Sequence, residues 1–115
     1  PYYCLCLQTT RLVVEKLGLD KDLVVSTFQS RFGKAEWLKP YTDATLESLP
    51  SEGIKDIAII SPAFSADCLE TLEELETENR EIFEHAGGEK YRYIAALNDR
   101  DDHIEALFEV LKPNL

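Results

Sequence analysis

Carboxylates are the side chains whose spacing in this chain points most directly to chemistry. The segment DCLETLEELETENREIFEH, residues 67–85, holds eight acidic side chains and a single arginine. On an ideal helix, Glu70, Glu74 and Glu78 recur every four residues and fall within an arc of roughly 80°. Carboxylate oxygens in such a stripe can bind a divalent cation or pass it along.

The same stripe has a plain structural interpretation as the solvated face of an amphipathic helix. In that interpretation Asp67 and Glu70 form a capping-box-like start. The core face would carry Cys68, Leu69, Leu72, Leu75, Ile82 and Phe83. Two features favour a cation path. Carboxylates four residues apart repel each other with only Arg80 to compensate on this helix, and the stripe begins where a ligand crevice is expected.

A second candidate site is the loop FQSRFGKAEWLKPYT, residues 28–42. It combines flat aromatic surface with nearby positive charge, from Phe28, Phe32, Trp37 and Tyr41 beside Arg31 and Lys34. This combination suits a planar, anionic, aromatic ligand. The alternative is a loop that is pinned by aromatic side chains packed on the core.

Helical and strand-like patterns alternate along the chain and must position these side chains. Helical patterns cover residues 7–18, 43–53, 67–85 and 100–112, and strand-like runs cover residues 22–30, 55–64 and 90–97. Three of the helices end at glycine or proline: the first at Gly18, the acidic one at Gly87–Gly88 and the last at Pro113. The order αβαβαβα predicts an α/β fold, a three-layer sandwich with a parallel sheet covered on both faces.

A parallel sheet of this kind binds ligands beyond the carboxyl ends of its strands. Three such ends are predicted, at residues 29–31, 64–67 and 97–98. We expect them to converge at one edge of the sheet, where the acidic segment also begins. The alternative is that they are ordinary turn and cap residues.

Composition limits the classes of function. The chain has 115 residues, is 44% hydrophobic and carries a net charge of −10, which predicts one compact domain that repels nucleic acid and favours cations or basic partners. No apolar run is long enough to cross a membrane, and contact with a membrane surface is left open. Three cysteines suit a reducing compartment, so a cytoplasmic location is expected. A start at Pro1 and the lack of Met indicate a mature form or an excised piece.

Two blocks of sequence resemble a known family. FQSRFGKAEWLKPYTDATLESL and PAFSADCLETLEELETENREIFEHAGGEKYRYIAALND stand in order and at family-like spacing, as in the C-terminal domain of ferrochelatase. The resemblance runs from Pro1 to about Val110 and implies a Rossmann-like chelatase domain. It also implies an enzyme that inserts ferrous iron into protoporphyrin to form protohaem.

The resemblance implies roles for individual residues. Glu70 matches the catalytic glutamate that faces a histidine across the porphyrin, and Glu74 and Glu78 match a presumed metal path. Porphyrin-pocket positions are Tyr2, Gln29, Ser30, Arg31, Trp37 and Phe64. The family's helix contains a wider turn, which would fall near residues 73–75. Cys68 stands where some relatives have histidine, which argues against a ligand role there.

The resemblance also implies what this stretch lacks. The family's essential histidine lies in an N-terminal domain upstream, and we interpret His85 and His103 as solvent-facing residues without a catalytic role. The chain is therefore predicted to be half of an active site that needs its N-terminal domain. Iron enters as a substrate, no cofactor is expected to be bound permanently, and three cysteines are too few for an iron–sulfur cluster.

Two rival functions remain open. One is a related chelatase that acts on a cobalt or nickel tetrapyrrole, although such proteins typically carry a pair of histidine ligands. The other is a non-catalytic module that binds a metal or a tetrapyrrole. Activity after joining to an upstream segment separates these rivals from an iron chelatase.

Overall fold

The computed structural model describes residues 1–31 and 33–115. Four α-helices, one π-helix and two β-strands form the regular structure of this part. They are α1 (Tyr2–Leu17), α2 (Thr42–Ser48), β1 (Asp56–Ile60), the π-helix (Glu70–Glu78), α3 (Asn79–His85), β2 (Lys90–Ile94) and α4 (Asp101–Leu111). Short 3₁₀ turns follow at Lys21–Leu23, Leu49–Glu52 and Lys112–Asn114.

The sheet is parallel, and the predicted α/β class is confirmed. Strands β1 and β2 pair in register from Asp56 opposite Lys90 to Ile60 opposite Ile94. The intervening crossover contains the π-helix and α3, as expected for parallel neighbours. The strand order therefore places the start of the acidic segment after the carboxyl end of β1.

The predicted first strand, residues 22–30, is wrong. A 3₁₀ turn takes its beginning, and the rest is irregular chain with one isolated bridge between Phe28 and Tyr41. At that bridge the Phe28 N–H donates to the Pro40 carbonyl and the Phe28 carbonyl accepts from the Thr42 N–H. An apolar run forms a strand only where a neighbouring strand pairs with it along its length. The observed order thus has two strands in the described chain, instead of the three in αβαβαβα.

The helical run over residues 67–85 is not a regular α-helix. A π-helix over Glu70–Glu78 leads directly into α3, which confirms the wider turn and extends it beyond residues 73–75. The hydroxyl of Thr77 reaches back five residues to the Leu72 carbonyl at 3.0 Å. The wider turn rotates later side chains relative to earlier ones.

This rotation changes the predicted core face. Leu75 and Phe83 are buried as predicted, but Leu69 is 73% exposed and Leu72 is 46% exposed. Thr71, absent from the predicted face, is fully buried. Its hydroxyl forms hydrogen bonds with Cys68 and Asp67 at the start of the helix, and these bonds offset the free-energy cost of burying a polar group.

The core lies between α2, α3 and β2. Its buried members are Leu46, Phe83 and Tyr91, with Leu49, Ile57, Ile59, Ile82 and Tyr93 packed around them. Gly88 makes the tight connection from α3 to β2 possible, because a Cβ there would lie 2.2 Å from the Phe83 ring. The Phe83 ring therefore occupies the space that a side chain at position 88 would need.

The buried core is small for the one compact domain that the composition predicts. Among the described residues, the buried apolar side chains are Phe28, Leu46, Leu75, Phe83 and Tyr91. The chain exposes 8712 Å², against roughly 6,400 Å² for a compact monomer of this mass. Its radius of gyration is 15.6 Å, against roughly 13 Å for a compact domain of this length.

Helices α1 and α4 carry much of the excess apolar surface. Every residue of α1 is at least partly exposed. The helix contacts the irregular chain before Tyr41 through the stacked rings of Tyr3 and Phe28, whose centres are 5.4 Å apart, and through a 2.8 Å hydrogen bond between Thr10 and Ser26. In α4, only His103 is buried. Across the described residues, no helix is both long and apolar enough to cross a bilayer.

Candidate functional site

The chain beyond the carboxyl ends of β1 and β2 is tied together by Asp67 and Asn98. The Asp67 N–H donates to Asn98 Oδ1 at 2.8 Å, and Asn98 Nδ2 donates to Asp67 Oδ2 at 2.9 Å. The Asn98 N–H also reaches the Ser65 carbonyl at 2.9 Å. Asn98 adopts a φ of +50°, which asparagine tolerates better than most residues. The sequence predicts both segments at one edge of the sheet, and these bonds join them there.

Asp67 is a fixed negative charge at the start of the acidic segment. Hydrogen bonds from Tyr93 and Asn98, with further ones from Ala96 and Thr71, lower the pKa of its carboxyl to about 2. The predicted capping box is not formed. Instead, Thr71 Oγ1 accepts the Cys68 N–H at 2.9 Å and donates to Asp67 Oδ1 at 3.0 Å.

Glu70 lies in the first turn of the π-helix and is exposed. A hydrogen bond with Cys68, followed by one from its own backbone, lowers the pKa of its carboxyl below the ordinary value. Glu70 therefore keeps its negative charge to lower pH than an ordinary glutamate does, which suits contact with a cation and makes it a weaker proton acceptor. Its carbonyl accepts from Gln29 Nε2 at 2.7 Å, which brings the Gln29 loop to the same turn.

Glu74 contacts the Gln29 loop through both of its carboxylate oxygens. Its Oε1 accepts the Ser30 N–H at 2.7 Å, and its Oε2 accepts the Ser30 hydroxyl at 2.8 Å. Gln29 Nε2 lies 3.5 Å from Oε2. The structure thus brings together Gln29, Ser30, Glu70 and Glu74 from segments 41 to 45 residues apart.

The other predicted porphyrin positions are more dispersed. Arg31 stacks its guanidinium 4.9 Å from the centre of the Tyr41 ring, and the Trp37 N–H donates to the Tyr41 hydroxyl at 3.3 Å. Trp37 is 46% exposed, and Tyr2, in the first turn of α1, is 54% exposed. Phe64 is half-buried in the turn after β1.

A cavity of about 140 Å³ lies where the loop meets the π-helix. Its lining consists of Phe28, Gln29, Ser30, Arg31, Tyr41, Thr42, Asp43 and Glu74. Sites for drug-sized ligands occupy roughly 300–1,000 Å³, so this cavity alone does not enclose a tetrapyrrole. Tyr2, Trp37 and Phe64 lie outside its lining.

Glu78 points away from that cavity into a shallow groove between α2 and α3. The groove has a volume of about 560 Å³ and is lined by Glu47, Glu78, Glu81, Ile82, His85 and Ala86. Among residues 1–31 and 33–115, no three His, Cys, Asp or Glu side chains lie close enough together to hold a metal ion. The three carboxylates of the predicted stripe are therefore separate groups in this structure, and Glu74 is the one bound to the loop.

The two histidines differ from each other. His85 is exposed as predicted, with Nδ1 2.7 Å from the Glu81 carbonyl. The prediction for His103 is wrong: it is buried, and its Nδ1 lies 2.7 Å from the Asn98 carbonyl. His103 thereby supports the turn whose Asn98 side chain binds Asp67. The only sequence signal for this contact was the position of Asn98 at the end of a predicted strand.

The chain is similar to known proteins over its whole length. A family model described as Ferrochelatase matches residues 1–115. The chain is 67% identical over 115 residues to "Ferrochelatase 2" of Shewanella oneidensis, and 66% identical over 120 residues to "Ferrochelatase" of Shewanella denitrificans; both alignments cover 100% of this chain. "Ferrochelatase" of Hydrogenovibrio crunogenus is 63% identical over 111 residues, or 96% of this chain. The chain spans 35%, 36% and 29% of the lengths of these relatives, about a third.

Proposed function

The chain belongs to the ferrochelatase family, and from this premise we propose that it forms the C-terminal part of an enzyme that inserts ferrous iron into protoporphyrin to yield protohaem. The observation that carries the proposal is the meeting of the Gln29–Ser30 turn with Glu70 and Glu74 on the π-helix. Residues matched to the porphyrin pocket thereby lie against residues matched to the metal path.

Glu70 is proposed as the catalytic carboxylate. Insertion of a divalent ion into a porphyrin removes two protons from the ring nitrogens and replaces the ion's oxygen ligands with four ring nitrogens. An ionised carboxylate can accept a proton or contact the ion, and the lowered pKa of Glu70 in this structure favours contact with the ion. The conserved family histidine on the opposite side of the ring would share this work.

The remaining matched residues are proposed to bind the substrates. Glu74 and Glu78 concentrate the divalent cation along the helix. Trp37, Phe64 and Tyr2 supply aromatic surface for the macrocycle. Arg31, which is exposed, is placed to pair with a propionate of the porphyrin, since a guanidinium binds carboxylates through two parallel hydrogen bonds.

The proposed enzyme needs a partner for this chain's exposed apolar surface. The chain exposes about 2,300 Å² more than a compact monomer of its mass would, and its relatives are about three times as long. We propose that the remaining part of a ferrochelatase-length chain, the N-terminal domain, covers α1 and completes the porphyrin site. We further propose a cytoplasmic location, because the free thiols of Cys4, Cys6 and Cys68 fit a reducing compartment.

A chimera tests the proposal. This chain replaces the corresponding third of Ferrochelatase 2 of Shewanella oneidensis, and metallation of protoporphyrin by Fe²⁺ is followed without oxygen by absorbance. We expect kcat/KM within about tenfold of the unmodified enzyme, a difference of roughly 1.4 kcal/mol in the barrier. The unmodified enzyme is the positive control, and the same protein without the third is the negative control.

Three results would contradict the proposal in distinguishable ways. Tight porphyrin binding without metallation would favour a non-catalytic tetrapyrrole module. Insertion of Co²⁺ or Ni²⁺ together with failure to insert Fe²⁺ would favour a related chelatase. A folded chimera that neither binds nor metallates porphyrin would contradict the assignment of the pocket itself.

A further inference from the structure

We propose that Glu74 is a positioning residue whose carboxylate holds the Gln29–Ser30 turn against the π-helix and so sets the shape of the tetrapyrrole pocket. The inference rests on the proposed function, in which Gln29 and Ser30 contact the porphyrin. It adds to Glu74 a task other than carrying charge along a cation path. It also makes the π-helix part of the pocket wall.

Both oxygens of Glu74 are committed to the turn. Oε1 binds the Ser30 N–H at 2.7 Å and Oε2 binds the Ser30 hydroxyl at 2.8 Å, so one carboxylate receives two hydrogen bonds from one residue. Bonds to an ionised acceptor are about twice as strong as those between neutral groups. Glu74 itself is half-buried, whereas Ser30 and both of these bonds are exposed to solvent.

The turn has a backbone shape that needs such support. Ser30 adopts a φ of +60°, in the left-handed region that L-residues other than glycine and asparagine seldom occupy. Strained residues of this kind persist where the surroundings determine them, and they cluster at functional sites. A second bond from Gln29 Nε2 to the Glu70 carbonyl, at 2.7 Å, holds the preceding residue to the same helix.

This geometry has a consequence for the cation path. A divalent ion that binds the Glu74 carboxylate has to displace at least one of the Ser30 bonds. Metal binding at Glu74 is therefore coupled to release of the turn, and by linkage a ligand that favours the held turn weakens metal binding there. Glu74 thus connects the two substrates of the proposed reaction.

The test compares Glu74→Ala with Glu73→Ala in the Shewanella chimera. Glu73 is exposed on the same π-helix, so its replacement removes an equal charge while leaving the turn's bonds in place. Amide hydrogen exchange at Ser30 is read at single-residue resolution, and porphyrin affinity is read by fluorescence titration. We expect Glu74→Ala to speed Ser30 exchange and to weaken porphyrin binding, each about tenfold or more, and Glu73→Ala to change both less than about twofold.

Glu74→Gln separates positioning from charge. The amide keeps an oxygen that can accept the Ser30 N–H, so the variant should retain most of the Ser30 protection and most of the porphyrin affinity. If the role of Glu74 is purely electrostatic, Glu74→Gln and Glu74→Ala should change the KM for the metal equally. In that case neither variant should change amide exchange at Ser30.

The outcomes separate this proposal from the one on which it rests. Equal Ser30 exchange in the Glu74→Ala and Glu73→Ala chimeras would overturn the positioning role. Faster Ser30 exchange at unchanged porphyrin affinity would overturn it as well. Failure of the unsubstituted chimera to metallate porphyrin would instead reject the proposed function, while the exchange and affinity comparisons would still decide the role of Glu74.

Discussion

At the scale of single residues, Glu70 and Glu81 form a matched pair for testing the proposed acid–base role. Both are exposed glutamates of the same helical run, and each substitution by glutamine removes one negative charge. Glu70 lies beside the Gln29 turn, whereas Glu81 lies in α3, three residues beyond Glu78. We expect Glu70→Gln to lower kcat for metallation by about 100-fold or more and Glu81→Gln to change it less than about twofold.

The comparison is made in the Shewanella chimera at matched thermal stability. Steady-state metallation with Fe²⁺ gives kcat and both KM values. Equal and small losses for the two variants would mean that the acidic excess is a solvated face and that Glu70 has no special role.

Asp67 gives a prediction about pH. Its pKa of about 2 lies below the ordinary value of roughly 3.9, so the folded state binds this proton less tightly than the unfolded state does. The stabilisation from Asp67 is fully present above about pH 4 and is lost as pH falls towards 2. Asp67→Asn should therefore lower the free energy of unfolding of the chimera at pH 6. The difference in this free energy between the variant and the parent protein should become smaller between pH 4 and pH 2.

Urea unfolding at several pH values measures this difference. Asp99→Asn serves as the control, because Asp99 is exposed in the neighbouring turn. A constant gap between Asp67→Asn and the parent from pH 6 to pH 2 would contradict the assigned network of hydrogen bonds.

At the scale of elements, the sequence predicts what depends on local pattern. Gly18, with a φ of +64°, ends α1 as predicted, and the apolar runs of β1 and β2 form strands because they pair with each other. Residues 22–30 have the same strand-like pattern but no partner strand along their length, which pattern alone does not reveal. The length of the π-helix could not be predicted from the residue pattern either. An ideal α-helix predicts that Leu69 is buried and Thr71 is not, and the structure shows the reverse.

The site was predictable to the same degree. Gln29 and Ser30 lie beside the start of the acidic segment as expected, although the strand over residues 22–30 on which that expectation rested is not formed. The partners of individual side chains did not follow, since they depend on distances between loops. Tyr93 and His103 belong to the network around Asp67 although neither was a candidate, and Asn98 was predicted only as part of a strand end.

Gly88 provides a prediction for the connection between α3 and β2. A Cβ at this position meets the ring of fully buried Phe83 at 2.2 Å, while a Cβ at Gly18 meets nothing within 4 Å. We expect Gly88→Ala to reduce the free energy of unfolding by about 3 kcal/mol through overpacking. Gly18→Ala should reduce it by about 1 kcal/mol, through its left-handed φ alone.

Denaturant unfolding of the two chimeric variants checks the order and size of these losses. Substitution of Phe83 by Leu in the Gly88→Ala background should recover part of the loss, since it shortens the side chain that the new methyl group meets. Equal losses at Gly88 and Gly18 would show that backbone conformation, and not the contact with Phe83, limits position 88.

At the scale of the whole molecule, charge and apolar surface serve different purposes. The net charge of −10 keeps like copies apart and attracts cations. Exposed apolar residues of α1, such as Leu5 at 58% and Leu12 at 55%, are suited to contact with further protein. A chain with few buried apolar side chains and a large exposed area gains little free energy from its own core.

The isolated chain should therefore be much less stable than the same residues within the chimera, and it should not metallate porphyrin. We expect its thermal transition to be broad and at least about 10 °C lower, because cooperative unfolding requires a shared core. Calorimetry and binding of a hydrophobic dye compare the isolated chain with the chimera, and the chain should bind more dye per mole. A sharp transition at the chimera's temperature, without dye binding, would show that the core of Leu46, Phe83 and Tyr91 suffices. Turnover by the chain alone would show that its own residues complete the site. Weak folding without turnover would support the proposal that an N-terminal domain covers α1 and completes the site at the Gln29–Ser30 turn.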